Sequence, residues 1–332
     1  MNKKMKIGLL DELKSQLAID GYAVIPNFVD EENCELINTY FWDYMETLNP
    51  LHKRDDKTTW TTLNLPANTR GLIQHYNCGF QKHAVHARKL LAPLFEHLHG
   101  TDKLVSSFDG TSFSRKPKNH KYKDLEDWSI RGWETDAFHI DQTTEGFKCV
   151  QAGLAVIEQD EDSHVFICVP GSHLYHEEIM KLNGGFKKGD WLVMNKKGDW
   201  LVMNDETKAF LKSKNLELKR VALDKGSVVC WDSRTAHSSS GYCKTSNPET
   251  TRLQVFVCMS PASKDKQIFN LEFEKRNKGY EEGRVSRHNP ITISLFPKNP
   301  RLYAPAQMKF NIPKSIELDE EEKKLHGLLS YY

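Results

Sequence analysis

Apolar residues between Leu9 and Ile19 recur at three- and four-residue intervals, which predicts a helix stopped by Asp20-Gly21. Tyr22-Ala23-Val24-Ile25 is a short apolar run closed by Pro26 and reads as a strand. Asp30 can cap a second helix from Glu31 to about Leu48, in which Leu36, Ile37, Tyr40, Phe41 and Tyr44 keep helical spacing. Residues 49–80 are mixed and loop-rich, and a third helix fits Lys82–His99. From Leu104 the pattern changes. Short β-rich runs follow, separated by polar turns: Leu104–Phe108, Val150–Ile157, Val165–Val169, Leu216–Val221, Ser227–Trp231 and Leu253–Met259. Such a series predicts an all-β barrel or sandwich. After Pro261 the chain turns polar and carries Pro297, Pro300, Pro305 and Pro313, which predicts a wrap over the core. It should end in a short helix near Asp319–Leu329, with the acidic run Asp319–Glu322 at the positive end of the helix dipole. The expected organisation is one domain over residues 1–332: helical support over 1–103, a β core over 104–260 and a C-terminal wrap over 261–332.

Composition narrows the function classes. At 332 residues the chain can bury roughly three-quarters of its unfolded surface and needs no staples. Hydrophobic residues make up 39% and charged residues 27%, which excludes wholesale disorder. No run approaches the ~18 apolar residues of a spanning helix, so no membrane partner is expected. The first residues, MNKKMKIGLLDELKS, carry charge too early for a signal peptide. Basic and acidic residues balance at 46 and 45, which argues against a nucleic-acid partner. The seven cysteines are scattered, odd in number and without a CxxC, as expected of free thiols in a reducing cytoplasm.

One internal repeat stands out. KKGDWLVMN occurs at Lys187–Asn195 and again, unchanged, at Lys196–Asn204. Two adjacent copies make a local tandem duplication rather than a solenoid. One copy is expected to form a strand and the other to bulge from the loop.

Candidate chemistry centres on His139-Ile140-Asp141. On a strand, residues i and i+2 share a face, so an imidazole and a carboxylate point into one space. A second imidazole arrives at His237, six residues after the run Ser227–Trp231 that follows the turn Lys225-Gly226. Two histidines and one carboxylate on one side of a metal form the facial triad of non-haem Fe(II) sites, although zinc takes the same donors. With fourteen histidines, one chance His-x-Asp is expected, and the plain alternative is a histidine bonded to nearby backbone. Arg252 lies fifteen residues beyond His237 and opens the strand Leu253–Met259. A guanidinium there can grip a carboxylate in bidentate fashion. A metal with open positions beside it suits a 2-oxo acid; the alternative for Arg252 is a surface ion pair.

Taken together the motifs resemble the phytanoyl-CoA dioxygenase family of Fe(II)/2-oxoglutarate-dependent oxygenases. The matching pieces run in order: Asp20-Gly21-Tyr22-Ala23-Val24-Ile25-Pro26, His139-Ile140-Asp141-Gln142, Val169-Pro170-Gly171-Ser172-His173, the Lys225-Gly226 to Trp231 approach to His237, and Arg252. The VPGSH turn is what points to this family among oxygenases. The resemblance covers about residues 10–260. It implies a mainly β fold with flanking helices, a double-stranded β-helix or jelly-roll (cupin-like) barrel. It implies iron on His139, Asp141 and His237, the 2-oxoglutarate carboxylate on Arg252, a supporting hydroxyl at Ser239, and O2 as co-substrate. It also implies that His173 is a turn residue rather than a ligand. The sequence departs from the pattern in two places. Tyr242–Glu249 adds a polar loop between His237 and Arg252. The second 2-oxoglutarate contact has no clean match, with Gln74, His75 and Tyr76 as candidates by position.

Arg70 and the basic run Arg115-Lys116-Pro117-Lys118-Asn119-His120-Lys121 precede the His139 strand, and Trp128 and Trp133 could wall a pocket. They favour a small anionic substrate such as an amino-acid derivative or a dicarboxylate, with fatty acyl-CoA as second choice; a solubilising loop is the plain alternative. Asp141 argues against halogenation. Rival classes are a non-enzymatic small-ligand barrel, a zinc hydrolase and a nucleic-acid oxygenase. The first lacks lost ligands, the second a placed general base and the third a basic groove. A monomer or homodimer is expected. No GxSxG, Walker loop, GxGxxG or HExxH occurs.

Overall fold

The computed structural model describes residues 3–61, 64–66, 71–116, 139–141, 149–186, 200–243, 245, 247, 249–298 and 310–332. Arg70, Pro117–Lys121, Trp128, Trp133 and the first copy of the repeat lie outside them. Helix α1 (Lys3–Asp20) ends at Gly21, whose φ of +75° suits a residue without a side chain. Strand β1 (Tyr22–Ile25) follows, and the Asp30 carboxylate caps α2 (Glu31–Leu48) by accepting from the Asn33 amide at 2.9 Å. Then come β2 (Leu72–Ile73), α3 (Lys82–His99), β3 (Leu104–Ser106), β4 (Thr111–Arg115), β5 (His139–Asp141), β6 (Val150–Ala155) and β7 (Phe166–Cys168). After α4 (His176–Leu182) come β8 (Trp200–Val202), α5 (Asp205–Ser213), β9 (Lys219–Val221), β10 (Val228–Asp232), β11 (His237–Ser239) and β12 (Thr251–Pro261), and the chain finishes with α6 (Lys266–Glu282) and α7 (Glu320–Leu325).

The strands form two antiparallel sheets. The major sheet runs β1-β10-β6-β12-β4-β2 with β3 also on β12, and the minor sheet runs β8-β5-β11-β7-β9. This interleaving of early and late strands is the double-stranded β-helix expected from the sequence. Period-two alternation assigns the faces. Along β12, Leu253, Val255, Val257 and Met259 join one apolar core with Leu13, Ile37, Phe41 and Leu91 of the three N-terminal helices. The alternate residues Arg252, Gln254 and Phe256 face the minor sheet. There Phe256 packs with Phe166, Cys168, Val229 and Trp231. The space between the sheets is therefore apolar at one level and polar at another, and the polar level holds Arg252.

Two parts of the fold differ from the sequence reading. The polar tail after Pro261 holds α6, a 17-residue helix that periodicity did not reveal. Its anchors are buried polar groups: Arg276 donates to the carbonyls of Ser106 and His326 at 2.9 Å each, and Glu272 accepts from the Ile293 amide at 2.7 Å. Asp265 and Gly283 cap its ends. Second, the helices α4 and α5 and the strands β2, β4 and β11 were absent from the predicted set. Trp200–Val202, within the second copy of the repeat, forms β8 and pairs with β5. The residues that follow distinguish that copy. Asn204 accepts from Thr207 N at 2.8 Å and so caps α5, whereas Asn195 is followed by Lys196-Lys197.

Buried histidines set the acid limit of the fold. Burial pushes His83 and His326 down to about 3, and His52 to about 4. In the unfolded chain they take protons near pH 6.5. The unfolded state therefore binds more protons as pH falls, and stability is lost from about pH 6.5 downwards. Three such groups contribute up to about 4 kcal/mol per pH unit between pH 6 and 4. Melting temperature should fall steeply from pH 6 to 5; an unchanged melting temperature over that interval contradicts this assignment.

Candidate active site

The minor sheet brings the sequence-predicted metal residues together. His237 of β11 and His139 of β5 are direct antiparallel partners, and β5 continues to Asp141. Positions 139, 141 and 237 thus fall on one face of the sheet. His237 shows which face: it is buried, with its ring 5.5 Å from Trp231 and 6.1 Å from Phe166, between the two sheets. Its Nδ1 donates to the Thr235 carbonyl at 2.7 Å, which places the ring lone pair on Nε2. A backbone tie of this kind fixes tautomer and orientation in metal-binding histidines. Two imidazole positions and a carboxylate position, one imidazole already oriented, fit an iron ion.

The turn that presents His237 is built by the two other motifs. Gly21 O accepts from Thr235 Oγ1 and from the Asp232 amide, both at 2.9 Å. Asp20 O accepts from the Gly171 amide at 2.9 Å, and Ser172 Oγ accepts from the Ala236 amide at 2.8 Å. His173 Nε2 donates to the Ala18 carbonyl at 3.2 Å. His173 is therefore structural, as expected, and VPGSH and DGYAVIP together clamp residues 232–237.

Arg252 lies across from this face on β12, opposite Ser114 of β4. It is 1% exposed, which overturns the surface-ion-pair alternative. Nη1 donates to His164 Nε2 at 2.5 Å and to Ser239 Oγ at 3.4 Å, and Nη2 donates to Gln254 Oε1. Nε has no partner. Burial pushes the guanidinium down to about 9, and the charge interaction that opposes this comes from the Tyr242 phenol rather than a carboxylate. Gly153 of β6 makes room for Gln254: a Cβ there would lie 2.1 Å from Gln254 Nε2. A buried cation held by neutral acceptors, with one donor left over, fits an incoming carboxylate.

Ser239, the hydroxyl that the resemblance implies for the cosubstrate, lies beside the Arg252 guanidinium. His164, Ser114, Tyr242 and Gln254 were not among the residues predicted from the sequence. Gln254 had a signal, since it shares a strand face with Arg252 two residues away. His164 and Tyr242 sit in loops, where spacing carries no information. Tyr242 also shows that the extra loop is more than polar filler, because it returns an aromatic side chain to Arg252. Of the positional candidates for a second cosubstrate contact, His75 donates to Pro297 O at 3.1 Å and Tyr76 packs on Phe310 at 5.2 Å. His83 and His86 are structural, on Thr111 and Asn33. None of the seven cysteines forms a disulfide among the described residues. Among the described residues no helix is long and apolar enough to cross a membrane.

The sequence profile of the family described as phytanoyl-CoA dioxygenase (PhyH) matches residues 18–243, more than half of the chain. The chain belongs to the phytanoyl-CoA dioxygenase family. It is accordingly a dioxygenase that uses Fe(II), 2-oxoglutarate and O2. His139, Asp141, His237 and Ser239 fall inside the match, whereas Arg252 lies beyond it. A curated relative, Ava biosynthesis cluster protein O of Aspergillus versicolor, is 24% identical over 246 residues, covering 73% of this chain and 75% of that protein. Among solved structures, the epimerase SnoN in complex with Fe3+, alpha ketoglutarate and nogalamycin RO is 18% identical, covering 77% of this chain and 85% of that one, with a TM-score of 0.47. EctD from S. alaskensis with bound Fe is 15% identical, covering 79% and 77%, with a TM-score of 0.45.

Proposed function

We propose that this phytanoyl-CoA dioxygenase family member oxidises a C–H bond of a small anionic metabolite, such as an amino-acid derivative, by hydroxylation or by radical cyclisation or desaturation, with release of succinate and CO2. His139, Asp141 and His237 hold the iron, and Arg252 with Ser239 holds the far carboxylate of 2-oxoglutarate. The observation that carries this reading is Arg252, a buried cation with an unpartnered Nε and no carboxylate paired to it among the described residues. Iron, when bound, supplies the redox centre at which O2 is used. The protein's own groups do the rest. Thr235 keeps His237 in the tautomer with a lone pair on Nε2. Gln254 and Ser239 orient the Arg252 guanidinium. Trp231, Phe166 and Phe256 keep the space beside His237 apolar and exclude water.

The substrate class rests on the basic positions Arg70 and Arg115–Lys121 ahead of β5, and on the relative's place in a biosynthesis cluster. Seven cysteines without a disulfide among the described residues favour a reducing cytoplasm as the setting. The test is succinate release by the Fe(II)-loaded chain with 2-oxoglutarate and O2, across a panel of N-substituted amino acids, dicarboxylates and fatty acyl-CoAs. Stimulation by the first two classes supports the reading. Stimulation by acyl-CoA alone replaces it with acyl-CoA hydroxylation. No succinate with any compound, or without one, leaves a small-ligand barrel.

A further inference from the structure

Arg252 is fixed by an ordered chain of hydrogen bonds whose direction follows from the donor-only character of arginine. Because Arg252 Nη1 donates to His164 Nε2, that nitrogen is an acceptor, and the ring is neutral with its proton on Nδ1. Nδ1 then donates to Ser114 Oγ at 2.6 Å. Ser114 Oγ donates in turn to the Tyr242 oxygen at 3.0 Å, and the Tyr242 hydroxyl donates to the Ser114 carbonyl at 3.1 Å. His164 is fully buried, and burial together with Arg252 holds it well below the usual histidine range. The Tyr242 ring meets the imidazole edge-on at 5.9 Å.

The chemistry of the three acceptors on Arg252 is the telling point. His164 Nε2, Gln254 Oε1 and Ser239 Oγ are all neutral. A carboxylate in any of these places would hold the guanidinium tightly, but it would also cancel its charge and compete with an incoming anion. A neutral imidazole fixes the position and leaves the charge to the ligand.

We propose that His164 is the positioning residue of the far-carboxylate pocket: backed by Ser114 and Tyr242, it holds Arg252 in the orientation that recognises the distal carboxylate of 2-oxoglutarate. This rests on the assignment of that carboxylate to Arg252. It predicts a loss confined to the distal end of the cosubstrate. A 2-oxo acid that lacks this end should not sense the change.

The experiment is an anaerobic titration of the Fe(II)-loaded full chain with 2-oxoglutarate and, separately, with pyruvate, followed by the visible charge-transfer band. The wild-type protein should prefer 2-oxoglutarate by about 100-fold, as expected for a desolvated charge pair. His164→Leu should cut that preference by about tenfold or more, through weaker 2-oxoglutarate binding at unchanged pyruvate affinity. His164→Gln, which offers an acceptor at one end of an amide and a donor at the other, should restore it to within about threefold. Arg252→Leu serves as reference and should abolish the preference. If Arg252→Leu abolishes it while His164→Leu keeps it, the role of His164 is overturned and the Arg252 assignment stands. If His164→Leu weakens both acids alike, the residue is merely structural and the inference is again overturned. If the wild-type protein shows no preference, the Arg252 assignment itself fails and takes the inference with it.

Discussion

Arg252→Leu is expected to raise the 2-oxoglutarate concentration for half-maximal turnover by about 100-fold, with a much smaller change in kcat. The guanidinium is buried, its Nε lacks a partner, and no carboxylate pairs with it among the described residues. Removing one side of a buried, hydrogen-bonded charge pair costs about 2–5 kcal/mol. That cost falls on ligand binding, because in the cosubstrate-free protein the same cation is uncompensated. Replacing it with leucine removes a desolvated charge, which offsets the acceptors left on His164 and Gln254. The melting temperature without cosubstrate should therefore move little. The upward shift that millimolar 2-oxoglutarate gives the Fe(II)-loaded wild-type protein should disappear. A variant that keeps the wild-type half-saturation concentration removes Arg252 from the site.

Gly21→Ala should be the more damaging substitution for the protein as a whole. Gly21 has φ +75°, and a Cβ there would lie 2.3 Å from Thr235 Oγ1 and 2.5 Å from His173 Nδ1. Left-handed backbone costs a residue with a side chain about 1–2 kcal/mol. Displacing Thr235 breaks its bond to Gly21 O and strains the carbonyl that holds His237, adding about 1–3 kcal/mol. We expect a stability loss of about 3 kcal/mol in denaturant unfolding, and a fall in Fe(II) affinity of about tenfold or more beyond what that loss explains. Unfolding curves and metal content of the folded fraction separate the two effects. Wild-type iron affinity in the folded variant would mean that the clamp does not orient His237.

The elements with strong periodic signals were legible from the sequence. The helices α2 and α3 and the strands β1, β6, β10 and β12 follow apolar patterns that burial in one core imposes. The proposed metal positions stood out because such chemistry demands rare residue types at strand spacing. Residue type and the strand signal before His237 suggested joining it to His139, and the resemblance strengthened that link; ninety-seven residues of chain lie between two positions that the sheet makes direct partners. What stayed hidden is held by polar contacts. Helix α6 is anchored by Arg276 and Glu272, and the Arg252 pocket is completed by His164 and Tyr242 from loops. Hydrogen bonds between residues far apart in sequence leave no periodic trace. The duplicated KKGDWLVMN carried its own ambiguity; among the described residues, the copy that pairs with β5 is the one followed by a capped helix.

The central claim is that residues 139, 141 and 237 form one iron site. Its most direct measurement is Fe(II) binding under anaerobic conditions, read as iron per folded chain and as the visible band that appears when 2-oxoglutarate is added. The account predicts one iron per wild-type chain and a band that needs both components. It predicts neither in His139→Ala or His237→Ala, although both variants remain folded by circular dichroism. Wild-type stoichiometry and an unchanged band in either variant would contradict it.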